Sequence, residues 1–185
     1  MELPVFDSGS SFAAGQKADA RDDNPIRHKH VWAIVVGIDD YAHPEAVTLR
    51  GAADDSDNFH QFLTNTLDVP SGHVVRLNDK EATRTRILGE FFSHLIHNPA
   101  IERGDMIVFF YAGHGDCKNA PASWNAGGQF STMAELICPH DQGMQDQEGK
   151  TIFGIPSRTF GALMRQLAHV KGDNILAVFD CYHPG

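Results

Sequence analysis

Three uninterrupted apolar runs of strand length constrain the fold of this chain more than any other feature of its sequence. They are Val31–Val36 (VWAIVV), Met106–Tyr111 (MIVFFY) and Ile175–Phe179 (ILAVF). A short run without polar alternation is typical of a strand buried on both faces, as in a parallel sheet covered by helices. Because Gly37 follows the first run, we expect that strand to end there.

Segments with helical periodicity separate these runs. One helix is predicted to begin at Asp54 or Asp55, a second after its cap Thr83, and a third after Ser157. The apolar side chains at helical spacing are Phe59, Phe62, Leu63 and Leu67 in the first helix, Ile87, Leu88, Phe91, Phe92, Leu95 and Ile96 in the second, and Phe160, Leu163, Met164 and Leu167 in the third. With a short strand at Val74–Leu77, this order predicts an α/β fold: a mostly parallel sheet with helices on both faces.

Two stretches lack any periodic pattern. Residues 1–29 are rich in Ser, Gly, Asp and Ala, which predicts a flexible leader and leaves residues 30–185 as one domain. Gly113–Gly149 is rich in Gly, Pro, Asn, Gln and Asp, which predicts a long irregular segment. Such segments in compact domains are usually functional or disordered.

Composition restricts the classes of function. A formal net charge of −9 argues against a nucleic-acid-binding protein, which would show a basic face.

The sequence contains no apolar run near the ~20 residues that cross a bilayer, and its N-terminus lacks the pattern of a signal peptide, so no membrane partner is expected. Three cysteines, Cys117, Cys138 and Cys181, form no even disulfide set, which favours a reducing, cytoplasmic setting.

Reactive residue types directly follow two of the apolar runs. Gly113–Gly115 (GHG) follows the second run, and Asp180–His183 (DCYH) follows the third. Because parallel strands place their carboxyl ends at one edge of a sheet, His114 and Cys181 are candidates for a general base and a thiolate nucleophile. A loop histidine without a catalytic task and a small buried cysteine are the alternatives.

Five motifs that carry these residues resemble successive signatures of the caspase and metacaspase superfamily. They are Gly37–Tyr41 (GIDDY), Leu49–Asp55 (LRGAADD), Tyr111–Gly115 (YAGHG), Ile137–Asp141 (ICPHD) and Asp180–Gly185 (DCYHPG), in the family's order over residues 31–185. The version found in fungal caspase-domain proteins fits best. The resemblance implies a cysteine endopeptidase fold with six core strands.

The resemblance also assigns roles to individual residues. It implies that His114 is the general base, and that the Gly115 backbone amide belongs to the oxyanion hole. It implies that Asp55 and Asp180 form a buried carboxylate pair that binds an Arg or Lys side chain, so the expected partner is a peptide or protein substrate with a basic residue. From the residues alone, Asp55 could instead cap a helix and Asp180 could hold a turn.

The chain departs from the family pattern at the nucleophile. The pattern Asp-X-Cys-His-Ser-Gly places Cys181 at X, Tyr182 at the nucleophile position and Pro184 at the serine. A phenol with a pKa of about 10 is a weak nucleophile at neutral pH. Neighbouring side chains of an extended segment point to opposite faces, so if Tyr182 faces His114, Cys181 is expected to face away. A β-bulge that rotates Cys181 back toward His114 is the alternative. These features predict a weak or inactive cysteine peptidase; a non-catalytic interaction or regulatory module is the alternative.

The sequence stops at Gly185, after what corresponds to the large-subunit portion of the family and before its final strands. Ile175–Phe179 is therefore expected at an exposed sheet edge, where a second chain could complete the sheet.

No cofactor or metal is expected. A zinc site built from His114, Cys117, Cys138 and His140 would have unsuitable spacing. Some metacaspases respond to calcium, but the acidic cluster Asp54–Asp57 lacks the spacing of an EF-hand loop and is better explained as a helix start.

Overall fold

The computed structural model describes residues 27–120 and 133–181, and these contain seven strands. In chain order the strands are β1 (Val31–Gly37), β2 (Val74–Asn78), β3 (Met106–Ala112), β4 (Gly115–Asn119), β5 (Met133–Ile137), β6 (Ile155–Pro156) and β7 (Ile175–Asp180). A parallel sheet has the order β2-β1-β3-β7, and a smaller antiparallel sheet has the order β4-β5-β6. The predicted parallel sheet is confirmed.

Three helices connect the strands. They are α1 (Ala52–Gln61), α2 (Arg84–Glu90) and α3 (Ser157–Lys171); α1 continues into a π-helical turn at Phe62–Thr66 and α2 into one at Phe91–Ile96. Short 3-10 turns lie at Arg27–His30, Ser71–His73 and Asp79–Glu81. No helix in the described part of the chain has the length and apolar character to cross a bilayer.

The start of α1 differs from its prediction, and the start of α2 does not. α1 begins at Ala52, two residues before Asp54, because a carboxylate from another segment caps it: Asp39 Oδ1 accepts the Ala52 amide at 2.9 Å. Thr83 caps α2 as predicted, since its hydroxyl accepts the Arg86 amide at 3.2 Å.

The helices cover both faces of the parallel sheet, as predicted. On one face, Ala33, Val35, Val108 and Phe110 pack in a core cluster with α1 side chains such as Phe59. On the other face, a larger cluster joins the strands to α2 and α3; its members include Ile34, Val36, Phe109, Phe91, Phe160 and Leu167. Successive side chains of one strand enter opposite clusters, as pleating requires. The sheet is therefore a buried middle layer.

The prediction of a long irregular segment at Gly113–Gly149 is wrong for its described residues. β4 and β5 lie within it and pair antiparallel, and Gln145 bridges to Thr151. The β4 sequence GDCKN is polar and only half-buried, so it lacks the apolar pattern of a strand. Its partner lies far along the chain, and such pairing leaves no local signal. Of the predicted leader, residues 27–29 belong to a 3-10 turn, and the others lie outside the described residues.

β7 occupies an edge of the parallel sheet, and its environment differs from that of β1 and β3. Leu176 and Phe179 are 44% and 43% exposed, whereas β1 and β3 are buried along almost their whole length. β7 pairs only with β3 among the described strands. An apolar strand at an open edge leaves unpaired backbone groups available to another strand.

Gly37 permits the close approach of α1 to β1. A Cβ atom at this position would contact the Ala52 carbonyl oxygen and would lie 2.5 Å from Ser56 Oγ. Ser56 is fully buried and its hydroxyl is hydrogen-bonded, so it has no room to move away. We predict that Gly37→Ala lowers the free energy of unfolding by about 1–3 kcal/mol, measured by chemical denaturation.

The matched control is Gly72→Ala, because a Cβ atom at Gly72 would meet no heavy atom within 4 Å. This control should change the free energy of unfolding by about 0.5 kcal/mol or less. Equal, small effects of the two substitutions would contradict the packing described for α1.

Candidate functional site

His114 lies in the turn directly after β3, at the carboxyl edge of the parallel sheet. The turn depends on Gly113, which has a φ of +156°. A Cβ atom at Gly113 would lie 2.8 Å from the Tyr111 hydroxyl oxygen and 2.9 Å from that of Tyr41. Only glycine allows the turn to approach these two hydroxyls so closely.

The hydroxyl of Tyr111 contacts the backbone of this turn and of the residue that follows β5. It lies 2.8 Å from the His114 carbonyl oxygen and 2.9 Å from the Cys138 carbonyl oxygen, and it accepts the Cys138 amide at 3.1 Å. Tyr41 completes the network, since its hydroxyl oxygen accepts the His114 amide at 2.7 Å. Burial raises the pKa of both hydroxyls well above the usual tyrosine value, so both stay neutral.

The imidazole of His114 is held by a backbone carbonyl. Its Nε2 atom lies 2.6 Å from the Val47 carbonyl oxygen, and the Tyr41 ring lies beside it with a centroid distance of 4.9 Å. A carbonyl oxygen can only accept, so Nε2 carries the hydrogen and, in the neutral ring, Nδ1 carries the lone pair. The contact therefore fixes which nitrogen can act as a base.

The Gly115 N–H group does not donate a hydrogen bond to β5. The Cys138 amide donates to the His114 carbonyl at 3.1 Å, and Gly115 is paired with Ile137 next to this bond. In an antiparallel ladder, hydrogen-bonded and non-hydrogen-bonded pairs alternate. Gly115 and Ile137 are a non-hydrogen-bonded pair, so the Gly115 N–H points away from β5. An amide with this direction is suited to stabilise an anionic oxygen.

Asp55 and Asp180 line one surface hollow, which we call the carboxylate hollow. Asp55 lies in the first turn of α1 and Asp180 ends β7; the other lining residues are Asn58, Phe59, Phe62 and Phe110. Its volume is about 360 Å³. Phe59 stacks on Phe110 with ring centroids 4.5 Å apart. The hollow thus combines two carboxylates with aromatic walls.

One expectation about this hollow is wrong. The carboxylates were expected to be buried, but both Asp55 and Asp180 are exposed. Phe62, which falls at the helical spacing of the apolar residues in its segment, is also exposed, by 46%. The common reason is the edge position of β7: no described element covers the sheet beyond that strand.

A backbone hydrogen bond joins the turn that carries His114 to the end of β7, where Asp180 lies. The Gly113 amide donates to the Asp180 carbonyl at 3.2 Å. The turn that carries His114 therefore lies against the end of β7, as the order of the parallel strands predicted.

Cys181 lies on the other face of β7 from the carboxylate hollow. It is half-buried against the core that includes α3, and it lines a hollow of about 300 Å³ with residues such as Ile155, Phe160 and Phe179. Burial raises the pKa of its thiol, and the charges of Asp180 and Glu135 raise it further. His114 does not line this hollow. Tyr182 and His183 lie outside the described residues.

Cys138 is hydrogen-bonded to His114 through its backbone, but it is no better suited to be a nucleophile. It is buried directly after β5, and its amide donates to the His114 carbonyl. Burial raises the pKa of its thiol to about 12, and the charge of Asp116 adds to the shift. Within residues 27–120 and 133–181, no group of three or more His, Cys, Asp or Glu side chains is arranged to hold a metal ion.

A cavity of about 450 Å³ opens beside His114, which we call the His114 cavity. His114 and Gly115 form one side of it. The other lining residues are Tyr41, His43, Glu45, Ala46, Val47, Asp116, Lys118, Leu136, Cys138, Gln142, Gly143, Thr151, Ile152, Phe153 and Gly154. It shares no lining residue with the carboxylate hollow.

Sequence reasoning missed the contacts that position the site. Val47 acts through its carbonyl oxygen, which no sequence pattern reveals. Tyr41 and Asp39 belong to the motif Gly37–Tyr41, but no role followed from the motif itself. In the structure, Asp39 caps α1 and the Asp79 carboxylate accepts the Asp39 amide at 2.8 Å. These contacts hold the segment that carries Tyr41 and Val47.

The fold and the site together define the class of protein, a caspase-like α/β domain. Its features are the parallel sheet and, at one edge, the turn of His114 bonded to the strand end at Asp180. Residues 32–185 match the family model described as metacaspase, peptidase C14 domain. The chain therefore belongs to the metacaspase peptidase C14 domain family, which confirms the assignment that the sequence motifs suggested.

A solved structure shows the same fold. Protein GSU0716 from Geobacter sulfurreducens is similar with a TM-score of 0.61 and 17% sequence identity, over 84% of this chain and 51% of that chain. This chain thus spans about half the length of that protein. At such low identity the similarity shows the fold alone. A comparison with curated proteins gave no match.

Proposed function

We propose that this chain is a metacaspase-type peptidase domain that recognises an Arg or Lys side chain of a peptide or protein, and in which cysteine-dependent hydrolysis is weak or absent. One observation carries the proposal. Asp55 and Asp180 line a single hollow, and Asp180 is hydrogen-bonded through its carbonyl to the turn that holds His114.

The carboxylate hollow has the chemistry for a basic side chain. A guanidinium or ammonium group placed between Asp55 and Asp180 would be attracted by both charges. The exposed ring of Phe62 adds a surface on which the apolar stem of the side chain can lie. Because both carboxylates are exposed, salt should weaken the attraction. We therefore expect moderate affinity with a clear dependence on ionic strength.

The proposed base and oxyanion donor lie at the adjacent turn. His114 would accept a proton at Nδ1, since Nε2 is occupied by the Val47 carbonyl. The Gly115 amide, directed away from β5, would stabilise negative charge on a carbonyl oxygen. These features support a site that could polarise a peptide bond.

The nucleophile is the weak component. A thiol attacks as its thiolate, and the raised pKa of Cys181 keeps that fraction small at neutral pH. Cys181 also lines a different hollow from His114. Tyr182 stands at the family's nucleophile position, and its phenol is a poor substitute for a thiol. We therefore propose recognition of the basic residue as the main activity of this chain.

The setting that we propose is cytoplasmic. Cys117, Cys138 and Cys181 are all free thiols, which fits a reducing compartment. The proposal requires no metal or cofactor.

The proposal is tested with a fluorescent peptide that contains one arginine, and with the same peptide in which the neutral isostere citrulline replaces it. The arginine peptide should bind about tenfold more tightly, because only arginine is charged. Asp55→Asn should remove most of this difference, and added salt should reduce it. Fluorescence anisotropy measures the affinities.

The matched control is Asp54→Asn, since Asp54 is the preceding acidic residue in the same helix turn and does not line the carboxylate hollow. This substitution should leave the preference for arginine intact. Equal binding of the two peptides to the unmodified chain would refute the proposal, and so would rapid hydrolysis of the arginine peptide that depends on Cys181.

The exposed edge of β7 favours a second candidate function, an interaction module in which β7 pairs with a strand of a second copy of this chain. Leu176 and Phe179 of this edge strand are both exposed, on opposite faces of β7. Such an edge is a template for strand addition.

Sedimentation equilibrium tests this second candidate. We expect the chain to form dimers, and Leu176→Lys to shift the equilibrium to monomers because a charge would be buried at the new strand pair. Val170→Lys, an exposed substitution on α3, should leave the dimers intact. A chain that stays monomeric over the whole concentration range would exclude pairing between copies.

A further inference from the structure

The turn Gly113–Gly115 separates the two recognition surfaces of this edge. On one side the Gly113 amide is bonded to Asp180, which lines the carboxylate hollow. On the other side His114 and Gly115 line the His114 cavity. A peptide that lies across the turn would therefore present different residues to the two surfaces.

The walls of the His114 cavity are mainly apolar. They include the side chains of Ala46, Val47, Leu136, Ile152 and Phe153. Val47 and Phe153 are 71% and 68% exposed, more than any other large apolar side chain in the described residues. Exposed apolar side chains that border a concave surface commonly mark a binding site.

The charges around the His114 cavity do not favour a charged ligand. Glu45, Asp116 and Lys118 all line it, so both signs are present. Lys118 Nζ lies 3.0 Å from Asp116 Oδ2, and the two charges offset each other. An uncharged apolar group is therefore the ligand that fits these walls.

Elementary acyl-transfer chemistry gives the position of that group in a peptide. A general base that removes the proton from a nucleophile later gives it to the leaving amine, so the base lies beside the residue that follows the bond. With the basic residue in the carboxylate hollow, the following residue would lie beside His114.

We propose that the His114 cavity binds a large apolar side chain, of the size of Leu or Phe, at the position that immediately follows the basic residue of the bound peptide. The proposal rests on the proposed function, because the carboxylate hollow sets the register of the peptide. A volume of about 450 Å³ accommodates such a side chain.

The cavity is also connected to the histidine. Val47 contributes its side chain to the cavity and its carbonyl oxygen to His114 Nε2. An apolar side chain that packs against Val47 would hold that carbonyl in place, and with it the orientation of the imidazole.

Four fluorescent peptides of otherwise identical sequence test the inference. They contain Arg-Phe, Arg-Gly, citrulline-Phe or citrulline-Gly at the two central positions, and anisotropy gives their affinities for the full chain. Burial of the Phe ring should make Arg-Phe bind about tenfold more tightly than Arg-Gly. Citrulline-Phe should keep a preference over citrulline-Gly.

Phe153→Ser locates the site, since Phe153 is exposed and its substitution should not disturb folding. It should reduce the Phe-to-Gly ratio of affinities to near one while leaving the arginine-to-citrulline ratio unchanged. Asp55→Asn should do the opposite. Val170→Ser, at an exposed position of α3, is the matched control and should change neither ratio; thermal unfolding checks that every variant is folded.

The results separate the inference from the proposed function. A Phe-to-Gly ratio near one in the unmodified chain, with an intact preference for arginine, overturns the inference alone. Lost preference for arginine with an intact Phe-to-Gly ratio overturns the proposed function and the peptide register that it sets, while binding of the Phe ring in the His114 cavity stands. A Phe preference that survives Phe153→Ser also overturns the inference, because the ring would then bind elsewhere.

Discussion

The buried hydroxyl of Tyr111 is the interaction on which the rest of this site depends. It contacts the carbonyl oxygens of His114 and Cys138 and accepts the Cys138 amide, so one group at the end of β3 joins the histidine turn to the end of β5. The neighbouring Tyr41 hydroxyl accepts the His114 amide. Tyr111 and Cys138 are buried, so their polar groups would be costly to leave unpaired. The network therefore fixes the backbone from which His114 projects.

Three separate hollows lie around this turn at the carboxyl edge of the sheet. The carboxylate hollow lies against α1, the His114 cavity lies against β5 and the segment of Val47, and the hollow of Cys181 lies against α3. Asp180 and Cys181 are neighbours in sequence, yet they enter different hollows because side chains of an extended segment alternate between faces. The proposed recognition of a basic residue and the proposed base thus use two of these surfaces, while the Cys181 thiol lines the third.

The features that the sequence predicted correctly depend on short, contiguous segments of the chain. The apolar runs of β1 and β3 indicate buried strands without knowledge of any partner, and the glycines around His114 indicate a tight turn. The pairing of β4 with β5 and the Val47 carbonyl contact were not predictable, because they join distant segments through backbone atoms. The exposure of Phe62 was missed for a related reason: helical periodicity shows which face is apolar but not whether another layer covers it.

The reactivity of Cys181 tests the central claim that this edge recognises a basic residue without a reactive thiol. Alkylation by iodoacetamide, followed by peptide mass spectrometry over a range of pH, gives its rate. Because burial raises the pKa of the thiol above the ordinary value of 9.0, the rate should be low at neutral pH, should still be increasing at pH 9.0 without having reached a plateau, and should be unchanged in His114→Ala. Rapid alkylation of Cys181 at neutral pH that is lost in His114→Ala would contradict the account.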